Sequence, residues 1–338
     1  MNVIDFPQVD LGTEATISPD VDKAGEHLKT WSRATGIVLD GPNGDAFDAL
    51  AQHRLAAWTY PAATGAQLDL MADWIGWLFA FDDVFDESID GCDQDFAIAT
   101  AAATNTVYTG LPSAPPSPVV RPYVVALEDL WERTTQGMPA YWCRRLANDM
   151  VDYVNSYRSH ALINASRIAL DEQSYRAHRL ISSAVFITLD LGEAAARRAL
   201  SESLLVHPYI RAAREAANNI VSWSNDLYSA PKELSLGDLC NYVAVLQSQD
   251  DLTTAQAADR VSQYLHEEIA RFDQTKQLIH TRLIPRLPTE DQQGVISMLD
   301  TCSNWITGNV AWSLETARYA SRAIDMEREK EVFGDLRT

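Results

Sequence analysis

The chain has 338 residues, 46% of them hydrophobic and 22% charged, which is enough to bury a sizeable core without disulfides or structural metals. Its 47 acidic and 27 basic side chains leave a formal net charge of −20, and such a surface repels nucleic acid and anionic lipid. A disordered tail, a collagen-like fibre and a small stapled scaffold are excluded, and nucleic-acid binding is disfavoured.

Taken in chain order, the first 12 residues, MNVIDFPQVDLG, carry neither the basic nor the apolar region of a leader, so a cytoplasmic location is expected. Residues 1–20 are expected to form a flexible N-terminal segment. Gly41-Pro42-Asn43-Gly44 predicts a loop. The first long stretch with a 3.6-residue period is 66–86, followed by 138–162, 172–190, 206–230, 252–284 and 290–322. Strand-like alternation is nearly absent, so the predicted class is all-α. The Pro-rich stretch 111–118 predicts a surface loop rather than a domain linker, because composition is alike on both sides. One domain over 1–338 is expected. Asp250-Asp251-Leu252-Thr253 and Pro288-Thr289-Glu290 read as helix starts. Cys92, Cys143, Cys240 and Cys302 are too far apart for a zinc pattern and imply reduced, inert thiols. The longest apolar run, Trp74 to Phe81, is too short to cross a bilayer, so no membrane insertion is expected.

Two segments carry chemistry. In WIGWLFAFDDVFDESID, residues 74–90, an apolar half that must be buried runs into Asp82, Asp83 and Asp86. Asp82 and Asp86 are one turn apart, about 40° around the axis, and like charges at that spacing destabilise a helix. A cation should compensate. The ligands are hard carboxylate oxygens, which suit Mg²⁺ rather than zinc or copper. A solvated acidic helix end is the alternative. In NNIVSWSNDLYSAPKE, residues 218–233, Asn225, Ser229 and Glu233 follow at intervals of four and share a helix face. An amide oxygen, a hydroxyl and a carboxylate could hold one hard cation. Pro231 should loosen this helix locally. Asp226 points elsewhere and reads as a structural hydrogen-bonding group.

Together with NWITGNVAWSLETARY, residues 304–319, these segments resemble class I terpene synthases of the bacterial type over nearly the whole chain. The resemblance implies an all-α bundle around a central apolar pocket. It also implies three Mg²⁺ ions, for which Mn²⁺ can substitute. Asp82 would be the main ligand of two ions, with Asp83 and Asp86 assisting, and Asn225, Ser229 and Glu233 would hold the third. Arg179 stands 46 positions before Asn225, where the family carries its diphosphate sensor, with Arg176 as the fallback. Lys232, Arg318 and Tyr319 match the family's other diphosphate-binding residues. Ile181-Ser182-Ser183-Ala184 matches the family's helix-break region, and Ser183 occupies the place of the carbonyl that triggers ionisation, although many relatives have an acidic residue and a glycine where Ser182 and Ser183 stand here.

Phe79, three residues before Asp82, and Leu78 are candidate pocket residues, and Trp312 matches a pocket aromatic. Trp74 is a weaker candidate. The implied activity is cyclisation of an allylic prenyl diphosphate, farnesyl diphosphate first and the C10 or C20 chains as alternatives. A prenyl chain-elongating transferase and a non-catalytic helical binding protein remain the other readings. The chain could be a monomer or a homodimer.

Overall fold

A computed structural model describes residues 14–86, 118, 120–316 and 318, the side chains of 84–86 excepted. All regular structure among them is helical. Helices α1 (Val21–Thr35), α2 (Pro42–Ala49) and α3 (Gln52–Thr59) lead into α4 (Ala66–Asp86). After α5 (Arg121–Thr135) and α6 (Ala140–Ser166) come α7 (Glu172–Ser182), α8 (Val185–Ala195) and the short α9 (Glu202–Leu205). The chain continues through α10 (Pro208–Leu236), α11 (Tyr242–Asp250) and α12 (Thr254–Leu278) to α13 (Thr289–Glu315). No described helix is long and apolar enough to cross a membrane.

The all-α expectation holds, and four local differences have physical causes. Gly41-Pro42-Asn43-Gly44 is not a loop throughout. Gly41 takes φ 118°, and Pro42, whose φ is already helical, opens α2. The period over 172–190 hides a break. Ser183 ends α7, and Ala184 takes a left-handed φ of 59° before α8 begins. Pro231 does not interrupt α10, which runs on to Leu236. Proline removes one amide hydrogen bond near the end of a long helix, and packing of the surrounding turns holds the rest. Of segment 1–20, residues 14–20 are packed rather than free, since Ser18 is buried and donates to the Ala63 carbonyl at 2.7 Å. Residues 1–13 and 111–117 lie outside the described residues.

Helix starts behave as their residues dictate. Thr253 and Gln256 form a reciprocal capping box at the start of α12. Pro288 precedes α13, whose first turn carries Glu290 and Asp291 against the helix dipole.

The middle of α4, Trp74 to Phe81, is apolar on every side and buried except at the half-buried Phe79. Trp74 donates to Thr134 Oγ1 at 2.8 Å and Trp77 to the Tyr123 carbonyl at 3.0 Å, so both indoles face α5. Trp74 is therefore core, not pocket. Arg145 of α6 and Arg214 of α10 grip Asp190 and Glu193 of α8, with nitrogen–oxygen distances of 2.7 to 3.5 Å. This buried quartet ties three helices together, and losing one member would strand a charge.

Helices α3 and α13 touch closely because position 308 is glycine. A Cβ there would sit 2.7 Å from the Trp58 carbonyl oxygen. The last turn of α13 is pinned to the same neighbour. Arg54 pairs with both oxygens of Glu315 at 2.8 and 2.9 Å, and Trp58 donates to Glu315 at 2.8 Å. Trp312 donates to the Ala51 carbonyl at 3.3 Å and Thr316 to that of Leu50 at 3.0 Å.

Candidate active site

Helices α4, α6, α7, α8, α10 and α13 enclose a cavity. Ile75, Leu78, Phe79 and Asp82 enter it from α4 at helical spacing, so one stripe supplies both an apolar wall and a carboxylate at its mouth. Leu78, Phe79 and Trp312 all line it. Phe79 and Trp312 meet edge to face, with ring centroids 5.5 Å apart.

At the α4 rim, Arg318 bridges Asp82 and Asp83 at 2.7 and 3.0 Å. Its guanidinium carbon also lies 4.7 Å from the centre of the Phe79 ring. Tyr157 of α6 donates to Asp82 Oδ1 at 2.7 Å. Behind it, Phe81 contacts the rings of Trp77, Tyr153 and Tyr157 and fixes the helix end in the core. The side chain of Asp86 and all of Tyr319 lie outside the described residues.

Opposite, α10 presents Asn225, Ser229, Lys232 and Glu233 to the same cavity. Arg179 of α7 donates to Asn225 Oδ1 at 2.8 Å and pairs with Asp226 at 2.8 Å. Burial opposes the Arg179 charge, but Asp226, Tyr175 and Glu233 more than offset it and raise its pKa further. Asp226 also accepts a hydrogen bond from Tyr175. Burial pushes the Asp226 carboxyl up, and Arg179 pulls against that shift. Asp226 thus has the structural role expected of it.

Asn241, the N-cap of α11, is fully buried and was not visible as a site residue in the sequence. Its amide nitrogen reaches the Asp226 carbonyl and Glu233 Oε2 at 2.8 Å each and lies 3.5 Å from Ser229 Oγ. One neutral side chain thereby fixes two of the three predicted ligands on α10.

The geometry separates the two arginine candidates. Arg179 lines the cavity. Arg176 pairs with Glu172 at 2.5 Å, donates to Tyr242 at 2.6 Å and lies 4.9 and 4.7 Å over Trp223 and Tyr264. It belongs to an aromatic cluster on the other side of α7. Ser183 does line the cavity, but its hydroxyl is engaged, donating to Asn218 Oδ1 at 3.0 Å and accepting from the Val185 amide. Cys240 also lines the cavity, and burial raises its pKa, which disfavours the thiolate unless a metal ion binds it.

The donor set fits hard divalent cations. Asp82, Asp83, Asn225, Ser229 and Glu233 offer only oxygen ligands, and two guanidiniums stand beside them as counter-charges.

The family model described as terpene synthase family 2, C-terminal metal binding, matches residues 73–271, more than half of the chain. The chain belongs to this terpene synthase family. Among its relatives, (+)-T-muurolol synthase of Roseiflexus castenholzii, described as cyclising (2E,6E)-farnesyl diphosphate, is 30% identical over 90% of either chain. Pristinol synthase of Streptomyces pristinaespiralis is 28% identical over 92% of this chain and 84% of its own length. Among solved structures, the linalool/nerolidol synthase of Streptomyces clavuligerus, complexed with 2-fluorogeranyl diphosphate, aligns with a TM-score of 0.79 at 25% identity. That match covers 88% of this chain and 99% of the synthase. The terpene synthase fold accounts for the helical bundle, and membership in a metal-binding family accounts for acidic side chains gathered beside an apolar chamber.

Proposed function

We propose that this terpene synthase is a Mg²⁺-dependent sesquiterpene cyclase that ionises farnesyl diphosphate and guides the cation to a cyclic C15 product. The observation that carries the reading is the placement of two oxygen-rich ligand sets and two guanidiniums on one apolar cavity. The C15 preference is supported by the farnesyl-cyclising description of the Roseiflexus relative.

Asp82, Asp83 and Asp86 would hold two ions, and Asn225, Ser229 and Glu233 a third. When bound, Mg²⁺ neutralises the diphosphate and makes it a competent leaving group. Arg179, Lys232, Arg318 and Tyr319 bind and orient the diphosphate oxygens, and the planar guanidiniums can each grip two of them. Ser183, at the break between α7 and α8, faces the site of ionisation. Phe79 and Trp312 present ring faces and edges that limit the conformations of the chain, and each face can stabilise a passing cation by about 0.5–2 kcal/mol. Leu78 and Ile75 exclude water that would quench it.

The test is incubation of the purified protein with the C10, C15 and C20 prenyl diphosphates, with Mg²⁺ or with EDTA. A cyclic C15 product and free diphosphate are expected with Mg²⁺ and neither with EDTA. A C10 or C20 product would reassign the substrate, and a lengthened chain would mean elongation. No diphosphate release from any substrate, or full turnover in EDTA, would overturn the proposal.

A further inference from the structure

Besides the oxygen ligands, the described residues contain one group of three metal-ligating side chains of mixed chemistry: His160, Asp238 and Cys240. His160 projects from α6, while Asp238 and Cys240 lie on the short turn between α10 and α11. Their ligand atoms all lie within 4.8 Å of one another. We propose that these three residues form a second cation site, for a borderline-soft divalent ion such as Zn²⁺, and that its occupation slows turnover.

Chemistry sets the metal. A ring nitrogen and a sulfur beside one carboxylate are the donors that zinc prefers and that magnesium does not. The oxygen ligands on α4 and α10 have the opposite preference, so the two sites separate by hardness. His160 Nε2 stands 2.9 Å from Asp238 Oδ1, joined by a shared proton. Two ligands each about 2.1 Å from a common tetrahedral ion lie roughly 3.4 Å apart, so an ion can replace that proton once the pair opens by about 0.5 Å.

The supporting shell is present. Asn164 Nδ2 and the Cys240 amide donate to Asp238 Oδ1 at 3.2 and 2.8 Å, and the Leu239 amide donates to Asn164 Oδ1 at 3.0 Å. Such contacts fix the orientation of a ligating carboxylate. All three ligands line the reaction cavity, so a fourth coordination position would open into it.

Location gives the consequence. The turn begins four residues after Glu233 and precedes Asn241, which holds Glu233. A bound ion would join this turn to α6. It would also bring a cation and its water into a chamber meant to shelter a carbocation.

The experiment uses untagged full-length protein with Mg²⁺ in excess to occupy the oxygen ligands, and titrates Co²⁺ as a spectroscopic stand-in for Zn²⁺. A near-ultraviolet thiolate-to-cobalt band that saturates at one equivalent is expected. It should be lost in Cys240→Ser, weakened in His160→Gln, retained in Cys143→Ser and erased by one equivalent of Zn²⁺. Circular dichroism identifies any variant that fails to fold, and either of the first two suffices. Absence of the band in the wild type overturns the site, as does its persistence in Cys240→Ser.

Only the kinetic arm rests on the proposed cyclase activity. Zn²⁺ at one equivalent should remove most diphosphate release by the wild type and leave the zinc-free rate of Cys240→Ser unaltered. A band without inhibition would retain the site and overturn its regulatory effect. A band in a protein that turns over no prenyl diphosphate would sink the cyclase reading alone.

Discussion

On the α10 side of the cavity, the oxygen ligands are held by groups that have nowhere else to go. Asn241 is fully buried and bonds Glu233, Arg179 bonds Asn225, and Asp226 anchors Arg179 from a site only 1% exposed. On the α4 side, Asp82 and Asp83 keep 34% and 30% of their side-chain surface exposed, and their cationic partner is Arg318, beyond the end of α13. One wall is therefore pre-organised by buried donors, the neutral Asn241 and the guanidinium of Arg179, whose charge Asp226 balances. The other is neutralised by a charge that an arriving cation has to displace. A site built this way can keep a template for one ion while leaving the opposite wall free to respond to substrate.

The strongest way to break this contrast is at Asp226. Asp226→Ala strands the Arg179 guanidinium in the core, which should cost about 3–5 kcal/mol of stability, read by urea unfolding. A loss below about 1 kcal/mol, typical of an exposed ion pair, would mean that this wall is not a buried anchor.

Next comes Arg179→Lys, which keeps the charge and loses the planar fork. The loss of one charge-assisted contact, about 1.5–3 kcal/mol, should lower kcat by roughly 10- to 150-fold with little change in KM. A rise in KM alone would place Arg179 in substrate binding rather than in stabilising the departing diphosphate.

Asn241→Ala sharpens the comparison further, because Asn241 touches the ligands of one wall only. The Mg²⁺ concentration for half-maximal activity should rise by roughly 10- to 100-fold, with kcat largely restored at saturating metal. An unchanged metal requirement would show that Ser229 and Glu233 orient themselves.

The smallest effect is expected one helical turn before Arg179. Arg176→Lys should leave kcat and KM within experimental error. It should lower stability by about 0.5–2 kcal/mol through lost stacking on Trp223 and Tyr264. A kinetic defect larger than that of Arg179→Lys would exchange the two assignments.

How far the sequence could be read follows from the range of each signal. The stripe on α4 and the four-residue spacing on α10 are local patterns, and Asp82, Asn225, Ser229 and Glu233 all line one cavity. The choice of Arg179 over Arg176 needed the family resemblance, since both lie on α7 one turn apart. The break at Ser183 and Ala184 was legible only through the family resemblance, because apolar periodicity continues across it, and the left-handed φ of Ala184 marks it in the structure. Pro231 leaves the helix uninterrupted, since intrinsic helix-breaking yields to packing along a long helix. Tyr157, Asn241 and the His160–Asp238–Cys240 group act across elements 70 or more residues apart, or through a cap. No spacing rule finds such partners.

The pinned end of α13 turns Arg318 into a tethered competitor. Thr316 is tied to Leu50 and Glu315 to Arg54, so the guanidinium begins two residues from a fixed point. A group on so short a leash stays near its target at an effective concentration on the order of millimolar, whatever the protein concentration. Any ion that takes over Asp82 and Asp83 has to be supplied at a comparable level. The metal requirement of the free protein is thus written partly into a surface ion pair between α3 and α13. Loosening the leash, as in Glu315→Gln, should let the α4 wall fill at lower Mg²⁺ while touching neither of its carboxylates.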